Sequence, residues 1–489
     1  MEQQNDLLAT LLALEKDRNI KAIEKKLRDE DYFSNPAMEY YKAHCYYTGF
    51  IYEQNIDEAI QHLKASALGN YGSACYMLSN IFEKGEGVAV DLEVADEYLV
   101  KASDLGYLPA QNKLGEIYLV GRNTIGKDEV EAYVLFSLCF QHNYTKGTVN
   151  YAHCLMYGIG CDANIDRAFN ILYKLVKEDN NPDANYELGL AYFNGVKGHR
   201  DSIRCTYHLL EATNNGNYKA AKLLGDCYYD GFGVRIDHKI AYKYHKFAAD
   251  HGDLEALKCV ANSLYYGDGV PTNFKEAVNS LVKAAELGDS DAQVTLGNRY
   301  YYGDGFRRNY SRAAYWYQNA ASSDNPIGLK NYADMLEAGQ GVKKDVGKAI
   351  ELYTKAVILN NYDACVPLAD IYNRGRRGFK RDYEKALQYY EIAYKNIDDE
   401  NAAFEYAELL SAGKGVVVPD YTRAAKAYEY AAEKGHDKAI KICGEYYLKG
   451  IGVAKDYEKA LRYYLEASKR GDEEAAILVN LIRRSVEFN

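Results

Sequence analysis

Proline is scarce in this chain of 489 residues, with only seven copies. A proline inside a helix removes a backbone donor and clashes with the preceding turn, so its scarcity favours a largely helical chain. Long hydrophobic runs are also missing, since no stretch reaches the roughly 18 apolar residues that a membrane-spanning helix needs. We therefore expect no transmembrane helix.

The first residues lack the features of a secretory leader. The segment MEQQNDLLATLLALEKDRN has no basic flank before its apolar stretch and no small-residue cleavage site. We expect the protein to be cytoplasmic.

Positive charge is in deficit. The chain has 59 Lys and Arg residues against 70 Asp and Glu residues, which gives a net charge of −11. Nucleic acids and anionic membranes are themselves negative, so we expect neither as the main partner.

The ten cysteines have no regular pairing pattern. A disulfide framework would place them at fixed positions in pairs, as in small secreted domains. His153, Cys154 and Cys161 also lack metal-ligand spacing. We expect reduced cysteines that act as small core residues, and no metal site.

What the chain has is tyrosine, in 49 copies, and a repeated phrase. One clear copy is AQVTLGNRYYYGDGFRRNYSRAAYWYQNAASS at 292–323. The phrase recurs about every 36 residues, which is typical of stacked supersecondary units. Its twelve copies open at Met38, Ala74, Ala110, Gly147, Ala184, Ala220, Ala256, Ala292, Gly328, Ala364, Ala402 and Ala439, and a partial copy opens at Ala475.

Each copy predicts a first helix. Counted from the opening residue, positions +4, +7 and +8 form an apolar stripe on one helical face. A glycine at +11 predicts the left-handed residue that ends the helix. These glycines are Gly49, Gly85, Gly121, Gly158, Gly195, Gly231, Gly267, Gly303, Gly339, Gly375, Gly413 and Gly450.

A second helix follows, and an Asp or Asn residue precedes it in every copy. Such a side chain caps a helix by accepting from its first free N–H groups. The twelve residues are Asn55, Asp91, Asp128, Asn164, Asp201, Asp237, Asn273, Asn309, Asp345, Asp382, Asp420 and Asp456. Glu58 and Glu276 predict complete capping boxes. Four residues after each cap stands Ala, replaced once by Cys205, which predicts a close approach of the two helices.

The predicted fold is therefore all-α: a right-handed α-solenoid of about twelve helix-turn-helix repeats. We expect an N-terminal capping helix pair at 1–37, the repeats at 38–474, and a C-terminal capping helix at 475–489. Array ends need such caps because a terminal repeat has no neighbour on one side.

The repeat pattern resembles the Sel-1-like repeat family, relatives of the tetratricopeptide repeats. The resemblance covers residues 38–474 and is closest in the sixth, seventh, eighth, eleventh and twelfth copies. It implies an adaptor or scaffold that holds peptides or partner proteins. Some members of the family are exported, but the signal they need is not recognisable here.

No string in the chain predicts an enzyme. Residues 121–128 spell most of a phosphate-binding loop, but its last position is Asp128 where Ser or Thr is required. Ser411 and Lys414 echo a β-lactamase pair but lack its other motifs. We expect no catalysis, cofactor or small-molecule substrate.

Positions +6 and +9 of the first helix point away from the apolar stripe. In tetratricopeptide-like solenoids, that face lines the concave groove. The candidate binding residues are Phe193, Asp226, Tyr229, Asn262, Tyr265, Asn298, Tyr301, Asp334 and Asp370. Two alternatives stay open. The aromatic residues either line the groove or pack between repeats, and the acids either bind or are solvated surface.

Basic turns occur at Arg307, Arg308 and Arg312, and again at Arg374, Arg376, Arg377, Lys380 and Arg381. They are either solvated loop charge or a docking site for acidic groups. The leading functional hypothesis is a protein-binding adaptor. The alternative is a stoichiometric, immunity-type inhibitor that wraps a basic toxin or enzyme, which the acidic charge would suit.

Overall fold

The computed structural model describes residues 2–27, 35–122, 124–196, 198, 200–305, 307–375 and 379–487. Within these residues the secondary structure is almost entirely α-helical. The chain divides into two compact units, Met1–Asp253 and Leu254–Asn489. The helices of the first unit are α1 (Glu2–Lys16), α2 (Ile20–Leu27), α3 (Pro36–Thr48), α4 (Ile56–Leu68), α5 (Gly72–Lys84), α6 (Leu92–Asp104), α7 (Leu108–Val120), α8 (Glu129–Gln141), α9 (Thr145–Tyr157), α10 (Ile165–Asp179), α11 (Pro182–Asn194), α12 (Ser202–Asn214), α13 (Tyr218–Asp230) and α14 (His238–Asp250).

The second unit continues the same scheme. Its helices are α15 (Leu254–Tyr266), α16 (Phe274–Glu286), α17 (Ser290–Tyr302), α18 (Tyr310–Ser322), α19 (Pro326–Ala338), α20 (Val346–Ile358), α21 (Cys365–Arg374), α22 (Tyr383–Asn396), α23 (Glu400–Ser411), α24 (Tyr421–Glu433), α25 (Asp437–Lys449), α26 (Tyr457–Lys469) and α27 (Glu473–Glu487), with a short 3₁₀ turn at Tyr362–Ala364. From α3 to α26, odd-numbered helices are the first helices of the repeats and even-numbered helices are the second. The all-α solenoid class is confirmed.

The predicted glycine stops are confirmed in most repeats but not in all of them. Gly121 and Gly375 have ψ values of 156° and 155°, outside the left-handed region, and α23 is capped by Ala412, before Gly413. All twelve glycines at +11 have a positive φ, as at Gly231 with φ of 78°. The glycine two positions later has a different role. A Cβ at Gly233 would lie 2.1 Å from the carbonyl oxygen of Ser202, at the start of the preceding repeat's second helix. The glycine therefore lets consecutive repeats approach at backbone distance.

The second helices begin where the capping residues predict. In all twelve repeats the Asp or Asn side chain accepts from a backbone N–H of the first turn, three residues on. The predicted capping boxes at Glu58 and Glu276 are only half formed. The N–H of Asn55 donates to the carbonyl of Tyr46, and that of Asn273 to Leu264, at 3.0 and 2.7 Å. In a complete capping box the glutamate side chain would accept from this same backbone N–H, which here already donates to a carbonyl of the first helix.

The close helix contact is formed at the predicted alanines. The residue four positions after each cap, including Cys205, is at most 1% exposed. The ends of the array are also packed: Leu11 and Ile23 of α1 and α2 are buried with Met38 and Tyr41. Residues 28–34 of the predicted N-terminal cap lie outside the described residues. A capping role for the terminal helices stays a prediction.

The ten cysteines are all free thiols, and eight of them are buried. Burial raises the pKa of the Cys139 thiol to about 11, which suppresses the reactive thiolate. Titration with a thiol reagent should therefore give ten thiols in denaturant. In the native protein, only Cys161 and Cys259, the two partly exposed ones, should react quickly.

Reductant should leave the melting temperature unchanged. A native disulfide contributes roughly 2–4 kcal/mol, so a loss of several degrees on reduction would contradict the free-thiol assignment.

Candidate interaction surface

The aromatic residues at +9 lie at the carboxyl ends of the first helices. Tyr229 stacks on the first residue of the second helix in its own repeat, and Tyr265 and Tyr301 meet the corresponding residue edge-on. The ring-centroid distances are 4.6 Å for Tyr229 and His238, 5.1 Å for Tyr265 and Phe274, and 5.3 Å for Tyr301 and Tyr310. Tyr229 keeps 41% of its surface exposed.

Tyr265, Tyr301 and Phe193 also contact the turn of the following repeat. The Tyr265 hydroxyl donates to Asp304, and the Tyr301 hydroxyl donates to Gln340 Oε1 at 3.2 Å. In the first unit, Phe193 packs edge-on against Phe232 at 5.2 Å. The partner stands 39 residues later in each case, so these side chains contribute to packing between repeats. A binding role for them stays a prediction.

The polar residues at +6 accept hydrogen bonds from the second helix of their own repeat. These contacts are Tyr353 hydroxyl to Asp334 at 2.6 Å, Tyr317 hydroxyl to Asn298 at 2.7 Å, Tyr390 hydroxyl to Asp370, and His245 Nε2 with Asp226 Oδ1 at 3.0 Å. Each contact joins a predicted site residue to a residue outside the predicted set. Asn262 is exposed. The carboxylates of Asp226, Asp334 and Asp370 are therefore more than solvated surface charge, but part of their hydrogen-bonding capacity is already used within the repeat.

The small residue at +5 makes these hydrogen bonds possible. A Cβ at Gly297 would lie 2.4 Å from the Tyr317 ring, and one at Gly225 would lie 2.4 Å from the His245 ring. Because Gly297 and Gly225 have no side chain, the ring from the second helix has room to pack against the first helix and reach the residue at +6. Burial raises the pKa of the Tyr317 hydroxyl, so it remains a donor.

Asp226 stays ionised in this setting. Burial raises the pKa of a carboxyl group, but hydrogen bonds from His245 and from Lys222, whose Nζ lies at 2.8 Å, outweigh that effect. The pKa of Asp226 therefore lies below its usual value. Hydrogen bonds with Lys222 and His245, both in its own repeat, hold this carboxylate in place.

These contacts escaped the sequence reasoning, although a signal exists. In the eighth to twelfth repeats, a polar or acidic residue at +6 coincides with Tyr eight residues after the helix cap. In the first, second, fourth, fifth and seventh repeats that position holds Leu. None of these Leu repeats has an acid at +6, whereas every repeat with an acid there has an aromatic residue eight positions after the cap. Comparing the repeats with each other would have revealed this pairing.

One core position holds a charge that the pattern did not predict. Position +7 of the eighth repeat is Arg299, which is only 7% exposed. Its guanidinium carbon lies 3.7 Å from the centroid of the Tyr265 ring, and Nη1 lies 3.8 Å from Asp304. The expectation of an apolar residue at +7 in every repeat was wrong here, because an aromatic face and a carboxylate offset the burial of the charge.

The basic turns divide into two groups. Arg307, Arg308 and Arg312 are exposed at the rim of a cleft in the second unit. In the other group, Arg374 pairs with Asp370 at 3.2 Å, and Arg381 Nε donates to the carbonyl of Arg374 at 3.1 Å. Lys380 is exposed. Arg376 and Arg377 lie outside the described residues.

None of the helices in the described part of the chain combines the length and the apolar character that crossing a bilayer requires.

Curated relatives match parts of the chain. Chitin synthase regulator SKT5 of Saccharomyces cerevisiae is 32% identical over 153 residues, which is 29% of this chain and 21% of that protein. Chitin synthase regulatory factor 2 of Schizosaccharomyces pombe is 29% identical over 170 residues, 32% of each chain. Sel1-repeat-containing protein YjcO of Escherichia coli is 27% identical over 164 residues, 33% of this chain and 69% of YjcO. The match thus spans only a minor part of the two fungal proteins.

Solved structures match over more of the chain. A protective antigen of uropathogenic Escherichia coli strains, which has an SLR fold, is 26% identical with a TM-score of 0.55. The alignment covers 87% of this chain and 90% of the antigen. A Sel1 repeat protein from Oxalobacter formigenes has a TM-score of 0.52 at 21% identity, over 68% of this chain and 93% of its own. The second likeness concerns the fold alone.

The Sel1 repeat model itself matches nearly the whole array. The matched segments are 37–71, 72–107, 108–138, 146–180, 182–217, 219–253, 260–289, 290–325, 326–361, 363–398, 401–436 and 439–472. Twelve matches coincide with the twelve helix pairs, and the chain therefore belongs to the Sel1 repeat family.

Proposed function

We propose that this protein is a non-catalytic scaffold that holds a partner protein or peptide on the faces of its first helices. The observation that carries the proposal is the repetition itself. Within each of the two units, six copies of one helix pair present the same first-helix positions at each step, which forms a surface for a polypeptide. Two relatives that are a regulator and a regulatory factor of chitin synthase are compatible with such a role.

Within this proposal, the exposed members of the candidate set are the binding residues. Tyr229 and Asn262 offer a large aromatic surface and an amide that can hydrogen-bond a peptide backbone. Tyr265 and Tyr301 are partly exposed, and the exposed part of each ring contributes to the same binding surface. Because Asp334 and Asp370 accept bonds from buried tyrosines, the proposal does not require a basic partner.

The test starts with a partner captured from the source cells on the immobilised protein and identified by mass spectrometry. Several stable partners would favour an adaptor, and one tight partner would favour an inhibitor. The purified partner is then titrated against the wild type and the double variant Tyr229→Ala/Asn262→Ala. Truncating an interface anchor can cost about 2 kcal/mol or more, so affinity should fall at least about tenfold.

A matched control uses exposed tyrosines of the second helices. Tyr315 and Tyr457 are 57% and 51% exposed, so the variant Tyr315→Ala/Tyr457→Ala removes similar surface from another face. It should bind like the wild type, and both variants should keep their melting temperature. Equal affinities for all three proteins would remove the first-helix face from the proposal.

A further inference from the structure

A cleft of about 1020 Å³ lies in the second unit, on the side of the helix-turn-helix connections. The start of α16 forms one wall, and the turn between α17 and α18 with the start of α18 forms the other. Phe274 and Tyr310 supply aromatic surface, and Lys275, Arg307, Arg308 and Arg312 supply charge. This site is separate from the first-helix residues of the proposed function.

All four charged residues that line the cleft are cations, in a chain whose net charge is −11. The residues that line it include no Asp or Glu. Its four cations are exposed, and none of them forms an ion pair with a carboxylate of the described residues. The helix caps on its two sides, Asn273 and Asn309, are neutral where most repeats carry Asp. The lining residues thus supply no carboxylate of their own. The nearby acids of the two walls, Asp304 and Glu276, accept hydrogen bonds from Tyr265 and Asn273.

Aromatic rings hold two of the guanidinium groups at the cleft. Arg312 Nη1 donates to the Tyr300 hydroxyl at 3.1 Å, and its guanidinium lies 5.4 Å from that ring. The Arg308 guanidinium lies 5.3 Å from the Tyr310 ring. A guanidinium has five N–H donors, so one bond leaves a bidentate edge for a carboxylate. Stacking of this kind reduces the entropy lost when the arginine binds.

The positive surface continues into the next repeat. Gly341 belongs to the cleft wall, and the residues that follow it in the same turn include Lys343 and Lys344, both exposed. Lys348 is exposed in the first turn of α20. Cations therefore recur from one repeat to the next, which suits an extended chain better than a single small anion.

We propose that this cleft, with the lysines of the following turn, binds an extended segment of a protein partner that is rich in Asp and Glu. Carboxylates would pair with the guanidinium groups, and apolar side chains of the segment would lie on Phe274 and Tyr310. A protein segment fits better than a nucleic acid, because it can place its carboxylates only where the cations lie. A nucleic acid carries a phosphate at every nucleotide, so the acidic remainder of the molecule repels it more strongly.

The test measures the fluorescence anisotropy of a labelled oligoglutamate peptide with the full chain. We expect saturable binding at about 50 mM salt that weakens several-fold at about 300 mM salt, since exposed charges are screened. The variant Arg307→Glu/Arg308→Glu/Arg312→Glu should lose at least about tenfold in affinity. The corresponding triple Gln variant should lose less, and it serves if charge reversal disturbs folding.

The matched control reverses three exposed cations elsewhere in the second unit: Lys426→Glu/Lys455→Glu/Arg462→Glu. This variant has the same net charge as the Arg triple, and it should bind within about twofold of the wild type. Circular dichroism melting checks that all variants are folded.

Three outcomes would overturn the proposal. They are no binding of the peptide, equal losses in the two triple variants, and tighter binding of a single-stranded DNA of matched charge. None of them bears on the first-helix surface, whose variants keep every residue of the cleft.

Discussion

Replacing Ala313 with Asp should destabilise the protein by about 3–5 kcal/mol, because an unpaired charge is then buried. Ala313 is fully buried in α18, four residues after its cap Asn309, where the two helices of the repeat touch. A carboxylate there would lose its hydration without gaining a partner. Chemical denaturation monitored by circular dichroism measures the free energy of unfolding.

Two controls accompany this variant. Gln318→Asp introduces the same side chain at an exposed position of α18 and should change stability by no more than about 0.5 kcal/mol. Asp237→Ala removes a helix cap and should cost about 1 kcal/mol. If Ala313→Asp and Asp237→Ala unfolded alike, the inner face of the second helix would be assigned wrongly.

The damage should also spread along the array. Each helix pair buries its apolar face on its neighbours, so a disrupted repeat removes support from the next ones. Hydrogen exchange should therefore lose protection in α17 and α19 as well as in α18. Loss confined to α18 would contradict this coupling.

The second large effect is expected for Tyr353→Ala. Tyr353 is fully buried, and its hydroxyl donates to Asp334 at 2.6 Å. Removing the ring leaves a cavity in the core of the repeat, and comparable aromatic-to-alanine changes cost about 3–5 kcal/mol. Thermal and chemical unfolding on the same preparation would measure the loss.

Tyr353→Phe separates the ring from the hydroxyl. It keeps the volume and removes one hydrogen bond, so it should cost about 1 kcal/mol. Asp334 is only partly buried, so water can replace the lost donor. Tyr315→Ala, at an exposed position of α18, should have little effect. A Phe variant as unstable as the Ala variant would mean that the hydroxyl, and not the ring, dominates this contact.

The helix boundaries were predictable because their causes are local. A glycine with positive φ ends a first helix within its own turn, and an Asp or Asn residue caps a second helix within three residues. Both signals recur twelve times, so a helix boundary that is ambiguous in one copy could be assigned from the other copies. The half-formed capping boxes have a longer-range cause, since their backbone donor is used by a carbonyl of the preceding helix.

The candidate surface was less predictable. The expectation that position +9 points away from the core follows from one helix taken alone. It contains no information on the turn of the next repeat, where Asp304 and Gln340 meet Tyr265 and Tyr301. The burial of Arg299 likewise depends on the ring of Tyr265, which belongs to another repeat.

The sequence by itself thus determined the repeat, its helix pairs and the identity of the inner alanines, because periodicity and capping act within one unit of about 36 residues. Only the tertiary structure decided which polar side chains are free. Asp334 and Asp370 accept bonds from buried tyrosines, whereas Arg307, Arg308 and Arg312 remain at an open cleft. The reason is physical: a side chain's availability depends on what the neighbouring helix and the neighbouring repeat place against it.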